Sequence, residues 1–163
     1  MALADGYTDV ADGKLATVVT SLQMHARPDP RPERERDGWS LRRVERPDLG
    51  WYRDLYRRVG EEWLWFSRLR MPDTDLAAII HSPSVAVHAF EADGVAEGLL
   101  ELDFRVPGEC ELAFFGLTGR AQGTGAGRWL MNRALQLAWA QPIARLWVHT
   151  CTLDHPEIGR AHV

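Results

Sequence analysis

The sequence has little of what marks several classes of protein. Its 163 residues include only two cysteines, Cys110 and Cys151, whose spacing is not typical of a metal site or a redox motif. No apolar run approaches the roughly 18 residues that a membrane-spanning helix needs. The first residues lack the basic start and apolar core of a secretory signal. We therefore expect a cytoplasmic protein with reduced thiols that does not enter a membrane.

An excess of positive charge is also missing. The formal net charge of −4 argues against a general binder of nucleic acid or of an anionic membrane surface. Apolar residues make up 45% of the chain and include seven tryptophans, so a chain of this length can bury one substantial core. We assign that single domain to residues 1–156.

The periodicity of apolar residues predicts a mixed α/β (α+β) domain. In chain order the predicted elements are a strand at 14–26, a charged proline-rich loop at 27–38, a strand at 39–46, helices at 48–70 and 73–81, three strands at 84–92, 95–106 and 109–118, a long helix after a glycine-rich loop, and a strand at 144–153. Gly60 is expected to break the first helix, and Asp73 or Asp75 to cap the second. Asp93-Gly94 is a strong hairpin signal.

The glycine-rich loop lies in the run "RAQGTGAGRWLMNRAL", residues 120–135. It does not fit a dinucleotide fingerprint, because counting from Gly123 places Arg128 where the third glycine belongs. It does not fit a P-loop either, because no lysine lies nearby. A glycine-rich turn with no ligand is the alternative that the residues alone leave open.

The remaining pattern is Gln/Arg-x-x-Gly-x-Gly/Ala, which Gln122, Gly125 and Gly127 satisfy. Glycines let the backbone approach a pyrophosphate closely, and their amides form a concave anion site. The first amides of the following helix have no partners within the helix and carry the positive end of its dipole. This loop is therefore predicted to bind a phosphate without a lysine.

The whole run "ECELAFFGLTGRAQGTGAGRWLMNRAL" resembles the coenzyme-binding core of the GNAT superfamily, the acetyl-CoA-dependent N-acetyltransferases. The element order between residues 39 and 153 is similar to that fold, and the tryptophan-rich segment looks like one bacterial branch of it. The resemblance implies acetyl-CoA as co-substrate, an amine acceptor and no metal, and it allows a homodimer. It also implies these coenzyme-binding residues: Phe115, Gly116, Leu117 and Thr118 for the pantetheine arm, and Gln122, Gly123, Thr124, Gly125, Ala126, Gly127 and Arg128 for the pyrophosphate.

The resemblance implies a catalytic base as well. Glu111 matches the strand glutamate that many relatives use to deprotonate the amine, directly or through water. Its alternative is a place on the solvent face of an alternating strand. Glu101 and Asp103 are two residues apart, so both face one side of the sheet. They could bind a cationic acceptor, or they could belong to an exposed strand face.

Four further side chains are candidates for the acceptor pocket. His149 ends the last strand, where it could touch the substrate or serve as a hydrogen-bonded structural histidine. Trp63, Trp65 and Phe66 fall where the family's helices line the acceptor site. They could form an aromatic wall that stacks on substrate, or a core cluster.

The last seven residues, 157–163, do not resemble the family. One possible coding of them contains the start of a common short-read sequencing adapter, so we expect a non-native tail and a gene that continues beyond residue 156. The family's last helix and two strands would then be missing, and no tyrosine follows Tyr56 to protonate the leaving thiolate. On this view 144–153 becomes an unprotected sheet edge, which predicts aggregation and little turnover.

These observations predict an N-acetyltransferase that transfers an acetyl group to a primary amine by direct attack in a ternary complex. The alternative is a non-catalytic acyl-CoA-binding or regulatory module of the same fold, and a third interpretation is a structural domain with an empty glycine loop. The acceptor stays open among small amines, antibiotics, peptide N-termini and protein lysines.

Overall fold

A computed structural model describes residues 5–34 and 36–155. The six strands are β1 (Val19–Met24), β2 (Trp39–Arg43), β3 (Val85–Ala92), β4 (Val95–Asp103), β5 (Glu109–Leu117) and β6 (Arg145–Cys151). The helices are α1 (Leu49–Gly60), α2 (Ser67–Arg70), α3 (Asp73–Ile80) and α4 (Ala126–Ala138), with a 3₁₀ turn at Glu61–Trp63. Within the described ranges no helix is long and apolar enough to cross a membrane.

The strands form one mixed sheet in the order β1-β6-β5-β4-β3-β2. Every neighbouring pair is antiparallel except β5 and β6, which are parallel and connected through α4. Asp93 and Gly94 both have positive φ, as a two-residue hairpin turn requires. The predicted α/β class, the meander and the parallel last crossover are therefore confirmed.

The sheet separates two apolar cores. On one face α1 and α3 bury an apolar cluster that includes Tyr52, Leu55 and Leu76. On the other face α4 packs against the sheet through Trp129, Leu130 and neighbouring residues. The central strands β3 and β4 are mostly buried because helices cover them on both sides.

The first helix begins and ends for local reasons. The side chain of Asp48 accepts a hydrogen bond from the Trp51 amide at 2.9 Å and so caps the N-terminus of α1. Gly60 ends the helix as predicted, and a Cβ there would collide with the Trp65 indole. The predicted cap of α3 is wrong: Asp73 is already helical, and the N-cap position is held by Pro72, which makes no side-chain capping bond.

In the charged proline-rich segment, residues 27–34 and 36–38 have no regular secondary structure, but the segment is attached to α4. The side-chain amide of Asn132 accepts from the Arg31 amide at 3.3 Å and donates to the Arg31 carbonyl at 2.8 Å. Asn132 also donates to Glu33, and Glu33 forms an ion pair with Arg133 at 2.7 Å. These contacts hold the segment across the first turns of α4.

The prediction that 144–153 forms an open sheet edge is wrong. The strand β1 pairs antiparallel with β6 along its whole length, from Val19 opposite Cys151 to Met24 opposite Leu146. The N-terminal segment therefore supplies the backbone partners that an apolar edge strand needs. This pairing removes the reason for expecting aggregation. The predicted adapter-derived tail at 157–163 lies outside the described residues.

Candidate functional site

The site is built around the point where the two parallel strands separate. The β5–β6 ladder joins Glu109 to Arg145 and ends at Glu111 and Trp147, although both strands continue beyond it. A register shift between β4 and β5 leaves Ala113 without a ladder partner just after this point. The β5–β6 ladder therefore ends at the level where two cavities form.

The larger cavity, with a volume of about 950 Å³, lies between the separating strands, α1 and the segment that follows it. We call it the acceptor-side cavity. Its wall is mostly apolar, and it includes the segment before β1. The residues that line it include Lys14, Leu15, Glu61, Trp63, Leu64, Trp65, Phe66, Arg70, Phe115, His149, Cys151 and Asp154.

A second cavity of about 520 Å³ lies beside the glycine-rich loop, and we call it the loop-side cavity. It is lined by the end of β5 and by Gln122, Gly123, Gly125, Gly127 and Arg128. The two cavities share four residues in their walls: Trp63, Trp65, Phe115 and Asp154. A ligand that lies along the loop and the end of β5 can therefore reach the acceptor-side cavity.

The glycine-rich loop presents unpaired backbone amides. Gly123 and Gly125 have φ values of +72° and +97°, a region that only glycine adopts at low cost. Within the described part of the chain, these amides have no hydrogen-bond acceptor: Gly123, Thr124, Gly125, Gly127 and Arg128. Because they surround the N-terminus of α4, they are donors of the kind that can bind an anion.

Cations lie close to this loop. Arg128 lines the loop-side cavity. Arg34 comes from the segment attached to α4, and its Cδ lies 3.8 Å from the position that a Cβ would take on Gly125. Sequence reasoning missed Arg34, because nothing local to its arginine-rich segment indicates a contact with a loop some ninety residues later.

The predicted base is paired with the predicted substrate-contacting histidine. Glu111 Oε1 lies 3.3 Å from His149 Nδ1 at the last step of the β5–β6 ladder. Burial raises the pKa of Glu111, the negative charges of Asp103 and Glu101 add to this, and His149 opposes it. His149 lines the acceptor-side cavity. A carboxylate behind an imidazole is an arrangement that can accept a proton from a bound amine.

Comparison with known proteins places this geometry in a known fold. No protein-family model matches the sequence, and no curated protein matches it either. The structure is similar to an aminoglycoside acetyltransferase from an uncultured soil metagenomic sample, solved in complex with sisomicin, with a TM-score of 0.60 and 15% identity; the match covers 77% of this chain and 86% of that chain. The chain has the GNAT fold.

Two other solved structures carry the same fold. The aminoglycoside N-acetyltransferase AAC(6')-Iy in complex with CoA has a TM-score of 0.53 and 18% identity, and the match covers 82% of this chain and 86% of that chain. A GCN5-related N-acetyltransferase from Kribbella flavida has a TM-score of 0.51 and 14% identity, covering 82% of this chain and 50% of that chain. The fold expected from the sequence resemblance is confirmed.

The two carboxylates on β4, Glu101 and Asp103, lie away from both cavities. Glu101 is fully buried, with Tyr52 donating to it at 2.5 Å and Arg68 at 2.6 Å. Burial would raise the pKa of Asp103, but hydrogen bonds from the guanidinium and the backbone amide of Arg105 lower it. The structure therefore engages both carboxylates internally and does not bring either to a cavity wall.

The three aromatic candidates divide between wall and core. Trp65 packs on Tyr56 and Phe114 and leans against Gly116, where a Cβ would lie 3.2 Å from the indole. Phe66 is 60% exposed at the rim of the acceptor-side cavity. Trp63 stands at the wall that both cavities share and contacts His155.

Asp154 was also missed by sequence reasoning. Its Oδ2 accepts from the Thr150 hydroxyl and from the Cys151 amide, both at 2.7 Å, and its Oδ1 accepts from Trp65 Nε1 at 3.4 Å. It therefore ties the end of β6 to the aromatic segment where the cavities meet. In residues 5–34 and 36–155 no group of His, Cys, Asp and Glu could hold a metal ion.

Proposed function

We propose that this protein is an N-acetyltransferase that transfers an acetyl group from acetyl-CoA to a primary amine. The observation that carries the proposal is the junction of two cavities where β5 and β6 separate, one beside a loop with unpaired amides and the other beside a carboxylate–histidine pair. The GNAT fold of the chain is consistent with this chemistry. The reducing cytoplasm is the compartment that two free cysteines favour.

The unpaired amides and the nearby arginines support a coenzyme phosphate at the loop. Backbone amides at a helix N-terminus bind anions strongly, and Arg128 and Arg34 add positive charge. Phe115, Gly116 and Leu117 at the end of β5, which line the loop-side cavity, and the adjoining Thr118 would hold the pantetheine arm. A buried Glu97 fixes this end of β5, because it accepts a hydrogen bond from the Thr118 hydroxyl and forms an ion pair with Arg120.

The chemistry that we propose is direct transfer. His149, with Glu111 behind it, accepts a proton from the bound ammonium group. The free amine nitrogen then attacks the thioester carbonyl carbon, a C–N bond forms, the C–S bond breaks, and the CoA thiolate leaves and is protonated. Glu111, the residue that the sequence analysis named as the base, stabilises the protonated imidazole of His149.

A covalent cysteine intermediate is the competing mechanism. Burial raises the pKa of Cys110 to about 12, so that thiol is a poor nucleophile. Cys151 lines the acceptor-side cavity and is the thiol that must be tested. We expect Cys151→Ala to keep amine acetylation, and loss of all turnover in that variant would favour a covalent route instead.

The decisive experiment separates coenzyme binding from turnover. Acetyl-CoA should raise the melting temperature of the purified protein in proportion to the logarithm of its concentration, and amines should then release free CoA thiol. Binding without thiol release from any amine would instead favour a non-catalytic acyl-CoA-binding module. Absence of any thermal shift would reject both and leave a structural domain.

A further inference from the structure

The acceptor-side cavity has a composition that restricts what it can bind. Its walls are made of aromatic and aliphatic side chains, and three of these are largely exposed at its rim. Leu15 is 68% exposed, Leu64 50% and Phe66 60%. Exposed apolar side chains gathered around one cavity favour a ligand whose apolar body covers them.

The charges around this cavity do not suit a polycation. Lys14 and Arg70 both line it, and the Arg70 guanidinium lies 5.5 Å from the centre of the Phe66 ring. The carboxylates in the wall are Glu61 and Asp154. Among the described residues of the wall, Asp154 already accepts three hydrogen bonds from protein groups, whereas the side chain of Glu61 accepts none.

The carboxylates that could have balanced several ammonium groups are engaged elsewhere. Glu101 is fully buried against Arg68, and Asp103 is held by Arg105. Glu111 faces His149 and is the group assigned to proton transfer. A ligand with several ammonium groups would leave some of them unpaired beside Lys14 or Arg70, and like charges at such distances repel.

We infer that the acceptor is a primary amine on an aromatic or aliphatic body that carries no second positive charge, and that polycationic aminosugars are not acceptors. This inference rests on the proposed function and narrows its substrate class. The apolar body would lie against Trp63, Leu64 and Phe66, with its amine toward His149. The transfer step is direct attack of the amine nitrogen on the acetyl-CoA thioester, and it needs no reactant besides acetyl-CoA and the amine.

The first test measures binding without turnover, in the presence of saturating CoA. By isothermal titration calorimetry, 2-phenylethylamine should bind at least about tenfold more tightly than either sisomicin or ethylamine, because only it can bury an aromatic ring in the cavity. Equal or tighter binding of sisomicin would overturn the inference. Equal binding of ethylamine would also overturn it, since the apolar body would then contribute nothing.

Variants locate the effect in the cavity. Phe66→Ala and Leu64→Ala replace exposed side chains, so the fold should tolerate them, and each should weaken 2-phenylethylamine binding severalfold. Tyr7→Ala is the matched control, because Tyr7 is a fully exposed aromatic side chain outside both cavities. Unchanged binding in both cavity variants would refute the assignment of the apolar body to this wall.

A charge reversal at Arg70 tests the inference that polycationic aminosugars are not acceptors. Arg70→Glu should improve sisomicin binding and leave 2-phenylethylamine binding within about twofold, as a change of one partly screened charge predicts. Acetylation rates with both amines then separate the two levels of the proposal. Faster acetylation of sisomicin than of 2-phenylethylamine would support the acetyltransferase function but overturn the inferred substrate class. Tight binding of 2-phenylethylamine with no acetylation of any amine would overturn the proposed function but support the preference of the cavity for an apolar amine.

Discussion

Glu111 Oε1 lies 3.3 Å from Nδ1 of His149. Glu111 belongs to the last paired step of β5 and β6, opposite Trp147, and His149 lies just beyond that step. One residue belongs to the strand before the glycine-rich loop and the other to the strand after α4, so the parallel crossover brings them together. Only His149 reaches the cavity wall. The proposed proton transfer therefore depends on two residues acting as one unit.

Replacing Glu111 should affect turnover and spare coenzyme binding. We expect Glu111→Gln to lower kcat for amine acetylation by about a hundredfold, the lower range for loss of a positioned base, with an unchanged thermal shift by acetyl-CoA. Glu109→Gln is the matched control, because Glu109 lies on the same strand and pairs with Arg145 at 3.0 Å away from the cavity. Equal losses in both variants would point to a structural effect on β5.

The pH profile gives a second readout of the same pair. The pKa of Glu111 is raised above its ordinary 4.5, chiefly by burial. The proposed mechanism needs the carboxylate form, so kcat/KM should fall as the pH is lowered through a pKa above 4.5. His149→Gln should lose the rate while acetyl-CoA binding stays intact. A wild-type profile that is flat from pH 4.5 to 8 would contradict the assigned role.

The backbone conformation of the loop predicts the result of a glycine exchange. Gly125 has φ of +97°, and a Cβ there would make only ordinary van der Waals contact with Arg34 at 3.8 Å, so Gly125→Ala introduces strain without a collision. We expect a loss of about 1–2 kcal/mol in the free energy of unfolding and weaker CoA binding, measured by denaturant titration and calorimetry. Gly119→Ala is the control, because Gly119 has open space and no positive φ. A normal CoA affinity in Gly125→Ala would remove the loop from the coenzyme site.

Arg34 should contribute to coenzyme affinity through its charge. Because it stands beside Gly125 on the exposed surface, Arg34→Gln should weaken CoA binding severalfold at low salt and much less at high salt, where exposed charges are screened. Arg27→Gln, on the same segment, is the control. The Arg34 effect should also be reproduced in part by Asn132→Ala, which releases the segment from α4. Identical salt curves for Arg34→Gln and the wild type would reject this role.

Local signals explain what the sequence predicted correctly. The Asp93-Gly94 hairpin, the end of α1 at Gly60 and the glycine-rich entry to α4 each depend on a few neighbouring residues, and each is present in the structure. Alternation along β4 predicted only that Glu101 and Asp103 face the same side of the sheet. It could not show that Tyr52 and Arg68 cover that face and occupy the carboxylate.

The features that sequence reasoning missed depend on contacts between distant parts of the chain. Asn132 bonds to Arg31, which is 101 residues earlier, and this contact, together with those of Glu33, holds the segment that brings Arg34 to the loop. The proline-rich charged segment has no apolar anchor, so its sequence indicates a solvated loop. The sequence around Asn132 does not indicate which distant segment its side-chain amide will bind. The pairing of β1 with β6 is of the same kind.

The buried Arg68–Glu101 pair should matter for stability more than for catalysis. Removing one partner leaves an unpaired buried charge, so Arg68→Met should lower the free energy of unfolding by about 3–5 kcal/mol. The double variant Arg68→Met with Glu101→Gln should recover part of that loss, because the charge is then gone from both sides. Denaturant unfolding measures both. A small loss in Arg68→Met alone would mean that Tyr52 suffices to hold the carboxylate.

The pairing of β1 with β6 predicts different effects of proline at two adjacent exposed positions. The Thr152 amide donates to the Val18 carbonyl at 3.1 Å, and bonded and non-bonded pairs alternate along an antiparallel ladder. In the observed register, Thr20 opposite Thr150 is then a bonded position, whereas the amide of Ser21 opposite His149 points away from β6.

Thr20→Pro should therefore remove a ladder hydrogen bond and expose the apolar edge of β6, whereas Ser21→Pro removes none. We expect Thr20→Pro to lower the melting temperature and to promote aggregation on heating, followed by light scattering, with Ser21→Pro close to the wild type. Because the segment before β1 lines the acceptor-side cavity, Thr20→Pro should also weaken 2-phenylethylamine binding. Similar behaviour of the two proline variants would show that β1 does not protect this edge in solution.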